Sequence, residues 1–94
     1  MGGKCVIPSG TTRIGDYEFL GCEGLREVVI PDTVTCIGRS AFDGCRNLIG
    51  INIPEGVRTI EEHAFFGCWS LTEIKLPASV QNIGYGAFSG CIEV

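Results

Sequence analysis

The sequence holds no apolar run of membrane-spanning length, no block of like charge longer than Glu61-Glu62, and a single histidine. Each shortage removes a class of function. A spanning helix needs about 20 consecutive apolar residues, so no membrane insertion is expected. A nucleic-acid surface needs clustered Lys and Arg to displace counterions. Here Lys4, Arg13, Arg26, Arg39, Arg46, Arg58 and Lys75 are scattered, and the net charge is −4. Neither a nucleic-acid partner nor an anionic membrane surface fits that balance. Met1-Gly2-Gly3-Lys4 lacks the apolar stretch of a signal peptide, and Val6 stands where a myristoylation signal wants Ser or Thr. The chain is therefore expected either to be cytoplasmic, if complete as it stands, or to be a piece of a longer one.

What is present is a repeat. Prolines fall at 8, 31, 54 and 77; cysteines at 22, 45, 68 and 91; phenylalanines at 19, 42, 65 and 88. Isoleucines at 14, 37, 60 and 83 and glycines at 21, 44, 67 and 90 keep the same interval of 23. The 94 residues make one domain, 1–94, of four units: 3–25, 26–48, 49–71 and 72–94. A hydrophobic content of 45% suits a folded chain. One 23-residue unit cannot bury its apolar side alone, so neighbours stack as coils and share a core.

The pattern Leu25-x-x-Val28-x-Ile30 points three side chains inward along a short strand, and Leu48, Ile51, Ile53 and Leu71, Ile74, Leu76 repeat it. Proline ends each strand, having no N–H for a ladder. Beyond it, a short extended piece (Val34–Ile37) and one helical turn (about Arg39–Asp43) are expected, with Gly44 supplying the left-handed residue that ends the turn. Gly15, Gly38 and Gly84 align with Glu61, so that position does not demand a positive φ.

The pattern L-x-x-I-x-I-P-x-x-V-x-x-I-G-x-x-A-F-x-G-C resembles the BspA-like, or Treponema-type, leucine-rich repeat over essentially the whole chain. The resemblance implies a leucine-rich-repeat solenoid of the α/β horseshoe class, mainly β in content. It implies about four right-handed coils with a parallel concave β-sheet. It also implies long cell-surface proteins of bacteria and parasitic protozoa, many of them tied to adhesion, and no catalytic residues. Departures gather in the first coil, where Glu18 takes the Ala position, Thr11 the Val position and Cys5 the Ile position.

Cys22, Cys45, Cys68 and Cys91 occupy one rung of successive coils. Rungs lie about 5 Å apart, whereas a relaxed disulfide wants Cβ atoms about 3.8 Å apart. A column of buried free thiols acting as small apolar groups is expected, with disulfide stapling as the alternative. No metal site is expected, because zinc needs four ligands converging on one point and a column runs past any such point. His63 aligns with Tyr17, Ser40 and Gly86, a variable position expected at the surface. No base recurs beside the column, so thiol catalysis is not expected. Cys5 aligns with Val28, Ile51 and Ile74 and should be inside. Cys36 aligns with Arg13, Thr59 and Asn82, which makes it the expected exposed thiol.

No set of paired carboxylates, no Ser/His/Asp constellation and no cofactor-binding loop stands apart from repeat position. The expected function is a non-catalytic protein–protein interaction module without cofactors. Its contact surface would be the outward strand residues of the concave face: Glu27, Val29, Asn52, Glu73 and Lys75. Trp69 and Phe66, at variable positions of the third coil, either form a second patch or fold against neighbouring coils. The first and last coils show no polar cap in sequence. End-to-end assembly through them, or an artificial or truncated array without a specific ligand, is the alternative. Localisation would be the cell surface or extracellular for a segment of a longer family member.

Overall fold

The computed structural model describes residues 3–72 and 74–91. Its strands are β1 (Lys4–Val6), β2 (Arg13–Ile14), β3 (Glu27–Val29), β4 (Cys36–Ile37), β5 (Gly50–Ile51), β6 (Thr59–Ile60) and β7 (Asn82–Ile83). They form two parallel sheets, β1-β3-β5 and β2-β4-β6-β7. Every pairing joins residues one repeat apart: Lys4 with Glu27, Cys36 with Thr59, Ile60 with Ile83. The repeat thus sets the register directly. Successive coils stack without slip, and like side chains form columns through the core.

Those columns are the core. Ile37, Phe42, Cys45 and Leu48 of the second coil are fully buried, as are Ile60, Phe65, Cys68 and Leu71 of the third. The rings of Phe19, Phe42, Phe65 and Phe88 stack at 5.1, 5.3 and 5.4 Å with planes within 4°. Each proline carbonyl accepts an N–H three residues on, as Val34 donates to Pro31 (3.2 Å), so proline opens a turn as well as closing a strand.

The expected helical turn is absent: the described residues contain no helix, and 39–44 is a run of turns. The backbone explains why. Ala41, Asp43 and Cys45 donate to carbonyls three residues back, whereas Ser40, Phe42 and Gly44 donate to Glu62, Ala64 and Phe66 of the next coil. Alternate N–H groups therefore leave the coil, and a helix cannot form without them. Gly21, Gly44, Gly67 and Gly90 are left-handed, as expected. So are Tyr17, Ser40 and His63, at φ 60, 52 and 57°, with Gly86 at 65° in the fourth coil. This variable position is not simply a surface one: Ser40 is buried and His63 half-buried. Gly38 has an ordinary φ, but a Cβ there would meet Ile14 O at 2.7 Å. Its constraint is space.

Candidate interaction surface

The strand period fixes which side chains the first sheet shows. Val28 is buried and Cys5 and Ile51 are half-buried, while Lys4, Val6, Glu27 and Val29 alternate outward. Asn52 and Lys75 are also exposed. Glu73 lies outside the described residues. The structure thus brings Glu27 and Val29 together on one paired sheet and sets Lys75 beside Asn52 across a gap.

That gap is a departure from the repeat. The fourth coil matches the strand pattern, yet 74–76 has no strand, and among the described residues β5 is the last strand of the first sheet. A cleft of about 570 Å³ opens there, between Ile51, Asn52, Ile53 and Glu55 on one lip and Lys75, Leu76 and Pro77 on the other. Asn52 explains part of it. In the first coil Ile7 N–H donates to the backbone carbonyl of Val29 (3.0 Å). One coil later Ile30 N–H donates instead to Asn52 Oδ1 (3.0 Å), and Asn52 Nδ2 donates to Ile30 O (3.0 Å). The side-chain amide replaces a ladder rung, and the third-coil backbone leaves the sheet at that residue. Sequence pattern assigned Ile51, Ile53 and Leu76 to the closed core. No residue type announced the opening; Asn52, polar at the end of an apolar strand, was the available signal.

Cys36, expected in water, is half-buried. Its Sγ–H donates to Glu61 Oε2 (3.3 Å), and Arg13 Nη1 donates to Sγ (3.0 Å). Arg13 also pairs with Asp16 (2.9 Å) and Glu61 (3.4 Å). Side chains from the first and third coils close over the thiol of the second. Burial, then the Glu61 carboxylate, pushes its pKa up against the pull of Arg13. This polar set ties three coils together and disfavours a thiolate.

All six cysteines are free. The column does more than pack: Cys45 Sγ–H donates to Phe19 O (3.1 Å), Cys68 to Phe42 O (3.1 Å) and Cys91 to Phe65 O (3.4 Å). Each phenylalanine carbonyl also takes its own coil's cysteine N–H, so both lone pairs are used. Burial pushes the Cys45 thiol up to about 11 and those of Cys68 and Cys91 up as well.

Trp69 and Phe66 are 53% and 41% exposed. Arg46 lies 4.9 Å over the Trp69 ring, and His63 stands 4.8 Å from Phe66. Both lie on turns, apart from the first sheet, and each carries a neighbouring side chain.

The BspA type leucine rich repeat region matches residues 3–94 in six copies. No curated protein matches the chain. Among solved structures, a leucine-rich repeat protein from Bacteroides ovatus is similar at 38% identity and TM-score 0.90, over 94% of this chain and 25% of that one. One from Bacteroides capillosus is 31% identical at TM-score 0.87, over 96% and 71%. A pneumococcal vaccine antigen is 30% identical at TM-score 0.84, over 87% and 20%. The chain thus spans a quarter of the Bacteroides ovatus protein. With the matching stacked columns and parallel sheets, these likenesses place the protein: the chain belongs to the BspA-type leucine-rich repeat family.

Proposed function

We propose that the chain is a non-catalytic protein-interaction module and a segment of a cell-surface or adhesion-type repeat protein. Its contact surface is the exposed face of the first sheet and the residues that continue it along the repeat: Glu27, Val29, Asn52, Glu73 and Lys75. One observation carries the reading. Glu27 and Val29 stand exposed beside Lys4 and Val6 on a sheet held rigid by its buried side, the arrangement by which solenoids offer an extended face to a partner. The pneumococcal neighbour's description as a vaccine antigen supports the surface setting. The test is a screen of the folded chain against an array of purified extracellular proteins, with Glu27→Lys and Val29→Asp in parallel. A ligand that loses at least about tenfold in affinity with both variants is expected. A screen without binders, or binders indifferent to both changes, rejects the reading.

A second reading, end-to-end assembly, has its own observation. Among the described residues, the first coil's turn leaves the carbonyls of Asp16, Glu18 and Leu20 without partners, and the fourth leaves the N–H groups of Gly86, Phe88 and Gly90. These edges are complementary head to tail. Light scattering that stays monomeric at high concentration sinks this reading.

A further inference from the structure

We propose that the turn face of the third and fourth coils is a second contact surface, one that takes an arginine of a partner protein. It lies apart from the first sheet, and its test is separate from that of the sheet.

Exposed rings are unevenly spread over the molecule. The outward residues of the first sheet include no aromatic side chain, whereas Tyr17, Phe66, Trp69 and Tyr85 all stand exposed on turns. Three rings of the third and fourth coils meet. The His63 ring centre lies 4.8 Å from that of Phe66 and 6.0 Å from that of Tyr85, and Tyr85 is 82% exposed. Gly86 makes room for them, since a Cβ there would meet His63 Cδ2 at 2.8 Å and Nε2 at 3.1 Å. Asp43 stands one repeat before Phe66 and Glu62 one repeat before Tyr85. The rungs beneath Phe66 are joined, as Gly44 N–H donates to Phe66 O (2.7 Å).

Two observations point to a cation as the occupant. First, the other exposed turn rings already have an arginine of this chain. Arg46 lies 4.9 Å over Trp69, and the Tyr17 hydroxyl lies beside the Arg39 guanidinium. Among the described residues, no arginine or lysine stands over Phe66 or Tyr85. Second, the neighbouring negative charge is not spent. Among the described residues the Asp43 carboxylate makes no ion pair, and Glu62 has only Arg39, at 3.4 Å. Ring faces are negative and attract a cation. A guanidinium suits the set better than an ammonium, because it stacks on rings and forks onto a carboxylate at once. Tyrosine and arginine are also the residues that pair at the centres of interfaces. A neutral sugar could stack on the same rings, but it would gain no ion pair from Asp43.

The test starts from linear peptides displayed on phage and selected on the full chain. The tightest is synthesised with blocked ends and used as the probe. It is expected to carry an arginine whose replacement by citrulline, of like shape but uncharged, weakens binding at least about tenfold. Phe66→Ala and Tyr85→Ala should each weaken it about two- to thirtyfold, the range of a cation over a ring. Asp43→Asn should weaken it at least about twofold. Urea unfolding checks that each variant keeps its fold. Glu27→Lys, on the first sheet, should leave the affinity unchanged. Selection of no peptide, indifference to citrulline, or indifference to both ring variants overturns the proposal. Loss with Glu27→Lys but not with Tyr85→Ala also overturns it, and leaves the sheet's role standing. So does a neutral oligosaccharide that shifts the Phe66 and Tyr85 ring resonances where the arginine peptide does not.

Discussion

The first and fourth coils share one repeat and differ in how completely they are covered. Ile14 and Ile83 hold the same position, yet Ile14 is 1% exposed and Ile83 49%. Turn N–H groups of the first three coils reach forward to the next, and the burial of Ile14 follows the same direction. At the isoleucine position, a coil's core is completed by its successor. The backward edge is handled differently. Gly38, Glu61 and Gly84 donate their N–H to the isoleucine carbonyl of the preceding coil. Gly15 donates instead to Glu18 Oε1 (2.7 Å). Glu18, a departure from the Ala position, supplies the acceptor that a preceding coil supplies elsewhere, and so caps the first coil where sequence showed none.

The contrast can be broken at the shared isoleucine. Ile14→Ala should cost about 2–5 kcal/mol, as deletions in packed cores do, whereas Ile83→Ala should cost less than about 1 kcal/mol at its half-exposed site. Urea unfolding of both variants checks this, and equal losses would end the claim that burial runs forward. Next in size is the left-handed position. Gly86→Ala should destabilise by about 1–3 kcal/mol through strain, because its Cβ would also meet His63 at 2.8 Å. Tyr17→Gly, whose ring is exposed, should be neutral or stabilising by up to about 1 kcal/mol. Glu18→Ala should cost about 1 kcal/mol, the scale of a lost cap, while Ala87→Glu at the same position in the fourth coil would bury a charge and cost more.

The thiols sharpen the picture with pH. Cys45 has its pKa raised above the unfolded value of 9.0 to about 11. The folded state therefore holds that proton more tightly, its contribution is complete below pH 9, and stability should fall as pH rises from 9 to about 11. Thermal melts across that range check the sign. Alkylation at pH 8 should be slowest at Cys68, and Cys36 should react more slowly than an unstructured cysteine because its thiol is also held up.

Much of this was legible from period alone. A strict interval of 23 carries register, the ring stack, the thiol column and the left-handed Gly44 together, since a parallel stack leaves no other way to align them. What escaped was whatever a residue's type conceals. Tyr17, Ser40 and His63 share a left-handed backbone that none of them advertises, and only Gly86 in that column suits it. Asn52 looked like one more outward side chain until its amide was seen to replace a rung. Leu71, Ile74 and Leu76 satisfy the strand pattern, but a pattern states which face a residue prefers and not whether its neighbour's backbone is within reach. Cys36 was judged by its column, whereas Arg13 and Glu61 cover it from one coil before and one after.

The slip-free register also governs how such a gene can change. Recombination that adds or deletes one whole unit leaves the ring stack, the thiol column and the forward-reaching turns intact. An insertion of any other length throws all three out of phase at once. Lineages carrying this fold should therefore vary in coil number far more readily than in coil length, with the stack acting as its own proofreader.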